Sequence, residues 1–226
     1  MNLLATYQHS ADRALNWLSS RLQADGSYNA ASRDLACYYK APYLFYLSGR
    51  LEEAHRILSY IKKTFGRANQ DFTTTPTAKS ENDAFNEYWA YPNAWIALTA
   101  QKMGRFDIAY PAYQYLQGFY HPGCGGFTTH QPYGQGDNEV DILTTAHLGL
   151  TALYFGDLTK ATGAGKLLRH IASQQPDLKT GFYLRQREQG EVVTSYPHER
   201  AVFYHVSATQ PNQAYFMIGY PIAFLG

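Results

Sequence analysis

An internal repeat constrains this chain more than any other feature. Three segments share one form: DLACYYKAPYLFYLSGRLEEAHRILSYI, EYWAYPNAWIALTAQKMGRFDIAYPAYQYL and EVDILTTAHLGLTALYFGDLTKATGAGKLLRHI. Each opens on an acid (Asp34, Glu87, Glu139), with an alanine seven residues later (Ala41, Ala94, Ala146). A glycine follows (Gly49, Gly104, Gly156), and five residues beyond it comes a second alanine (Ala54, Ala109, Ala161). The glycines are 104 − 49 = 55 and 156 − 104 = 52 residues apart. Recurrence on this scale marks a stack of supersecondary units, each burying its apolar face against the next.

Within a unit the two halves differ. The first is apolar nearly all round, as a helix enclosed on several sides must be. The second carries one apolar stripe (Leu51, Ala54, Ile57, Leu58, Ile61, Phe65) opposite Glu52, Glu53, Arg56, Lys62 and Lys63. Each unit therefore reads as an inner helix, a glycine C-cap and an outer helix with a solvated face. A turn with an aromatic closes each outer helix: Asp25-Gly26-Ser27-Tyr28, Asp71-Phe72, Gly125-Gly126-Phe127 and Gly181-Phe182. The first stretch, ADRALNWLSSRLQADGSY, reads as an outer helix without an inner partner, and QAYFMIGYPIAFLG as a fourth inner helix with Gln213 in the acid's place. Pairing these two ends closes a ring. The expected fold is one all-α domain over residues 1–226, a closed α/α toroid of about four helical hairpins; an open solenoid is the rival. Alternation on both sides of Gln189-Gly190 predicts a small β-hairpin inserted near 182–206, lying over one mouth of the ring.

The stretch ALNWLSSRLQADGSY resembles the recurrent motif of terpenoid (squalene) cyclase-like and protein-prenyltransferase-like toroids. There, an outer helix ends in Gln before an Asp-Gly turn and an aromatic. YLQGFYHPGCGGF and HIASQQPDLKTGF look like degenerate copies. The resemblance implies a toroid whose centre binds a largely apolar, often isoprenoid, substrate. The Asp-x-Asp-Asp acid of the cyclases is missing, the nearest run being Asp137-Asn138-Glu139-Val140-Asp141. Cys37 and Cys124 do not match the prenyltransferase zinc ligands. Sugar epimerases, hydrolases and lyases use toroids as well, so the fold does not choose the chemistry.

Composition narrows the classes. The 19 basic and 18 acidic residues leave a net charge of +1, which argues against a dedicated nucleic-acid partner. No window approaches the length of a membrane span, and the start lacks a basic-then-apolar leader. Two cysteines without metal-ligand spacing read as free thiols, so a cytoplasmic location, no metal and no cofactor are expected. The 20 tyrosines suit either a tyrosine-rich core or a pocket that is apolar and still hydrogen-bonds.

Candidate chemistry follows from position. Asp34, Glu87 and Glu139 either cap helix N-termini or rim one mouth of the ring, where they would hold substrate, with Glu87 also a candidate catalyst. Asp141, expected two residues inside the third inner helix, is the sharpest candidate acid or base, because a carboxylate in an apolar helix needs a partner, a wet cavity or a raised pKa. Lys40, Asn93, Thr145 and Gly219 share one level and would line a cavity, Lys40 with a catalytic role or snorkelling. His147 is a candidate catalyst or a core histidine; Tyr38, Tyr91 and Trp95 would contact substrate. Pro42, Pro92 and Pro221 would kink the inner helices. On the hairpin, His198, Glu199 and His205 form a weak group. The expected function is proton-transfer chemistry (cyclisation, isomerisation or elimination) on an apolar, terpenoid-like small molecule. The alternatives are a carbohydrate-active toroid and a non-catalytic ligand-binding ring. The long connections 73–86, 128–138 and 183–212 predict that the largest pocket opens at the acid-marked end.

Overall fold

A computed structural model describes residues 3–29 and 32–226. Met1 and Asn2, which begin the segment read for a leader, lie outside the described residues, as do Ala30 and Ala31. Helices hold 53% of the residues and strands 9%, so the fold is mostly helical with two small antiparallel sheets rather than purely α.

The repeat is visible as hairpins. α2 (Ala41–Leu47) packs on α3 (Leu51–Phe65), α5 (Tyr91–Lys102) on α6 (Phe106–Gln117), and α7 (Ile142–Tyr154) on α8 (Leu158–Ser173). α1 (Leu3–Arg21) precedes them, the short α4 (Ala84–Glu87) leads into the second hairpin, and α9 (Phe216–Leu225) ends the array. The first helices of the hairpins lie side by side in the order α2, α5, α7, α9.

The helix-ending glycines do what the sequence requires. Gly49, Gly104 and Gly156 have φ of +73°, +68° and +76°. After them the N–H groups of Arg50, Arg105 and Asp157 reach back to the carbonyls of Phe45, Ala100 and Ala152 at 2.9, 2.8 and 2.9 Å. That is the Schellman closure, which satisfies carbonyls the helix leaves open. The turns after the outer helices are also equivalent. Antiparallel bridges join Leu22 to Tyr28, Gly66 to Phe72 and Tyr120 to Phe127, each around one left-handed residue (Gly26, Gln70, Gly125).

These glycines differ in what surrounds them, which gives a first expected result. A Cβ on Gly49 meets nothing within 4 Å, whereas on Gly26 it falls 2.3 Å from the Arg56 carbonyl oxygen on α3. Gly49→Ala should therefore cost only the left-handed penalty of about 1 kcal/mol. Gly26→Ala adds a backbone clash between α1's turn and α3, for at least about 2 kcal/mol in urea titrations. Equal costs would contradict this packing.

Burial separates the inner helices. α5 and α7 are buried on nearly every face, while α2 buries Pro42 and Phe45 and α9 buries Met217. Leu44 and Leu47 on α2, and Phe216, Ile222 and Leu225 on α9, are exposed. On α1, Leu15 alone is buried. The outer stripe on α3 is as read, except that Leu51 is half exposed and Tyr60 joins the core.

Three local expectations change. Pro42 and Pro92 sit in the first turn of α2 and α5, where the missing N–H has no helical acceptor to lose, so they start helices rather than kink them. Pro221 does fall within α9, as does Pro111 within α6. Asp141 is not inside a helix but is the N-cap of α7, accepting from the Thr144 N–H at 2.8 Å. The inserted hairpin is real only near its tip, where Gln186 bridges Val192 around Gly190 (φ +95°). Its arms pair elsewhere: β1 (Val140–Asp141) with β3 (Arg185–Gln186), and β2 (Gly181–Tyr183) with β4 (His205–Ser207). Between the arms runs a 3-10 turn at His198–Phe203. The segment is thus sewn to the entrance of α7 instead of standing as a free ribbon.

Candidate functional site

The three long connections enclose a cleft of about 1300 Å³. Its walls come from residues 69–89, 130–137 and 197–204, with Tyr115 and Gly118 from the second outer helix and its end. It opens where the acids precede the inner helices, and the inserted segment supplies Pro197, Arg200, Phe203 and Tyr204.

One wall is fixed by a buried lysine. Lys79 is fully buried and ion-paired with Asp71, and its ammonium also donates to the Phe72 carbonyl and Asn93 Oδ1, both at 2.8 Å. Burial pushes its pKa down to about 8 against the opposing pull of Asp71. All three ammonium hydrogens have acceptors, so this lysine holds the loop to α5. The second Asp71 oxygen accepts from the Trp89 indole N–H at 2.9 Å and the Tyr115 hydroxyl at 3.0 Å. Two aromatic groups are thereby oriented along the cleft. Asp34 ties down the same loop, accepting from Thr74 Oγ1, Ser80 Oγ and the N–H groups of Ala36 and Glu81 at 2.7–3.0 Å. Burial alone would raise its pKa, and these hydrogen bonds outweigh it and lower the value.

The opposite wall is organised by Arg185, which is fully buried. Its guanidinium ion-pairs with Glu87, donates to Glu139 Oε2 at 2.8 Å and to the Phe203 carbonyl at 2.9 Å, and lies 4.2 Å from the Tyr204 ring centroid. Glu87 also pairs with Arg200, whose side chain is 42% exposed. His130 Nε2 lies 3.1 Å from Arg185 Nη1 and 3.7 Å from Glu87 Oε1. Burial and then the Arg185 charge lower the His130 pKa, so the imidazole is neutral at neutral pH, with Nε2 accepting from Arg185 and Nδ1 left to carry the hydrogen.

His130, Asp137 and Glu139 place one donor atom each within 4.8 Å of one another. Their donor types suit a metal ion, but the Arg185 guanidinium already meets both Glu139 and His130. A second cation there would face direct repulsion.

The structure distributes the sequence candidates over several places. Glu87 lines the cleft, and Glu139 borders it through Arg185. Neither caps a helix N-terminus as expected: Glu87 ends α4, and Glu139 precedes β1. Asp34 and Asn93 hold the Lys79 loop from beneath. Asn93 and Thr145 share a level as anticipated, but they tie the inner helices to the aromatic turns rather than line a cavity. Thr145 Oγ1 accepts from the Phe127 N–H at 3.2 Å, and Asn93 Nδ2 donates to Asp71 at 2.9 Å. Tyr38 is buried against Tyr28, Tyr60 and Phe65, and its hydroxyl accepts from the Tyr28 N–H. It braces α3 and the first turn and contacts no open space. Asp141 is buried, with Oδ2 lacking a hydrogen-bond partner, directly across the β1–β3 pair from Arg185. Lys40, Tyr91, Trp95 and His147 meet one another between the inner helices, away from the cleft lining. His198 and Glu199 are exposed on the 3-10 turn, while His205 packs on Tyr183.

Arg185, Arg200, His130, Lys79, Asp71 and Trp89 carry the cleft, and the sequence reading assigned none of them a role there. Arg185 had a signal: a basic residue directly after the apolar run Phe182-Tyr183-Leu184 needs an acid if that run is buried. No helix among the described residues is long and apolar enough to cross a membrane. No protein-family model and no curated protein matches the chain.

Proposed function

We propose that the chain is a carbohydrate-active enzyme of α/α-toroid type that moves protons at a neutral sugar substrate. The observation that carries this reading is the cleft itself, which mixes aromatic faces fixed by hydrogen bonds with polar side chains and a neutral histidine among carboxylates. Trp89 and Tyr115 offer apolar faces with polar edges, and Tyr204, whose ring stacks on Arg185 and Tyr196, offers its edge; together they match the alternating faces and hydroxyls of a sugar ring. The charge of the lining favours a neutral ligand over an anionic one. Arg200 is matched by Glu87 and Lys79 by Asp71, while Asp83 and Asp137 are exposed and carry no ion pair among the described residues. Asp137 acts as the proton acceptor and His130, through its Nδ1 hydrogen, as the donor beside it, with Glu87 held in place by the two arginines.

The cyclase-like reading, with an apolar terpenoid-like substrate in the bore, rests on the resemblance of the outer-helix turns. It suits the bore less well, since Lys40, the unpartnered His147 nitrogens and the hydroxyls of Tyr91 and Tyr220 gather polar groups there. Closure of the helix array into a full toroid belongs to the same proposal, and the exposed flanks of α2 and α9 are the surfaces that closure would cover.

The test is turnover or binding of a panel of neutral oligosaccharides, followed by mass spectrometry and calorimetry. His130→Gln should leave the melting temperature unchanged and reduce turnover by about 100-fold or more, the usual size of a general acid–base effect. Trp89→Ala should weaken binding. Undiminished turnover in His130→Gln, or binding of no neutral glycan by the wild-type chain, would sink this reading.

A further inference from the structure

The bore holds a second arrangement that shares no residue with the cleft. His147 on α7 is 1% exposed, and neither ring nitrogen has a hydrogen-bond partner. The Trp95 indole N–H is buried and interacts with the Tyr91 and Tyr220 hydroxyls. Buried donors left unmet are costly and rare in folded proteins. The ring centroids of Tyr91, Trp95 and Tyr220 lie 5.1, 4.9 and 5.4 Å from that of His147. The hydroxyls of Tyr91 and Tyr220 are 2.6 Å apart, and whichever accepts in that bond keeps its own hydrogen to donate.

Lys40 stands over this group from the start of α2. Its Nζ lies 5.4 Å from the ring centroids of Tyr39 and Tyr91 and 5.5 Å from that of Trp95, and the residue is exposed. Among the described residues no carboxylate pairs with it. Among the described residues, the charge that perturbs both His147 and Tyr220 is that of Lys40. The bore therefore gathers an ammonium, an indole N–H, a phenolic O–H and an imidazole with no acid to answer them. Such a donor-rich set is complementary to a group that only accepts, which among common metabolite groups is a carboxylate. The surrounding walls are aromatic, and Leu44, one turn along α2 from Lys40 and 41% exposed, extends them. An apolar body attached to the anion would lie against these faces.

We propose that Lys40, Tyr91, Trp95, His147 and Tyr220 form a binding site for a carboxylate with an apolar body, separate from the cleft. Lys40 neutralises the anion, the tyrosine and indole donors orient it, and the aromatic walls select the hydrocarbon part.

The probe is 4-phenylbutyrate, added to the full chain labelled with 5-fluorotryptophan, so that Trp17, Trp89 and Trp95 give separate fluorine resonances. Its neutral amide and inorganic phosphate are run beside it. Phenylbutyrate should shift the Trp95 signal saturably and leave Trp89 in place, with the amide and phosphate each binding at least about tenfold more weakly. Lys40→Met, an exposed position where folding should survive, should weaken phenylbutyrate binding by about tenfold or more with an unchanged melting temperature. The proposal is overturned if Trp95 does not respond, if amide or phosphate binds as tightly as phenylbutyrate, or if Lys40→Met binds like wild type. None of these outcomes bears on the cleft, which Trp89 reports.

Discussion

Replacing Arg185 with methionine is expected to destabilise the chain by about 3–5 kcal/mol, the cost of leaving buried charge without its partner. Arg185 has no exposed side-chain surface, and its guanidinium serves Glu87, Glu139 and the Phe203 carbonyl. Methionine fills similar volume and supplies none of these donors. Glu87 keeps Arg200, but Glu139 has no other ion-pair partner among the described residues and must take up a proton or draw in water. The same change unties the 3-10 turn at His198–Phe203 from β3, so one wall of the cleft should loosen together with the stability loss. Urea titration gives the magnitude, and a triple variant (Arg185→Met, Glu87→Gln, Glu139→Gln) separates causes. If unpaired charge is the source, the triple variant recovers most of the loss. A loss below about 1 kcal/mol in the single variant would place Arg185 among weak surface pairs and contradict its role as the organiser of that wall.

The second large effect is acid sensitivity carried by His147. Burial, with a smaller push from Lys40, lowers its pKa to about 3 in the folded chain, against about 6.5 when unfolded. Between these values the unfolded state binds the extra proton, so stability falls as pH drops from about 6.5 toward 3. The loss is about 2 kcal/mol at pH 5 and approaches about 5 kcal/mol near pH 3. For a chain of this size, the pH 5 figure corresponds to a melting temperature about 4–8 °C lower than at pH 7.5. Phenylalanine at this position keeps the aromatic contacts with Tyr91, Trp95 and Tyr220 and has nothing to protonate. His147→Phe should therefore be at least as stable at pH 7.5 and should lose several degrees less on acidification than wild type. Identical pH profiles for the two proteins would show that His147 is not held neutral by its surroundings.

How much of this was legible in the sequence depends on the range of the interaction. The helical hairpins were, because Gly49, Gly104 and Gly156 are local signals: a left-handed residue ends a helix whatever lies around it. The turns at Tyr28, Phe72 and Phe127 were legible for the same reason. Asp141 was misplaced by two residues because an acid before an apolar run reads equally as a cap or as a first-turn residue. Glu87 and Glu139 looked like caps since their real partner, Arg185, is 98 and 46 residues away in sequence. No periodicity encodes such a pairing. The arms of the 182–206 segment alternate as strands do, but which strand each one meets is decided by packing at the entrance of α7. Trp89, Asp71 and Lys79 were silent individually and acquire meaning only through the loop fold that brings them together.

The account's central claim is that the cleft at the acid-marked end, rather than the aromatic bore, takes a neutral carbohydrate. The fluorine-labelled chain tests it directly, with Trp17, Trp89 and Trp95 assigned through single Trp→Phe variants. A neutral oligosaccharide should move the Trp89 resonance saturably, leave Trp17 and Trp95 unmoved, and lose its effect when Tyr204, on the opposite wall of the cleft, is changed to alanine. Silence at Trp89 across the oligosaccharide panel, with a saturable shift of Trp95 on adding a neutral isoprenoid alcohol, would contradict the claim and return the chemistry to the bore.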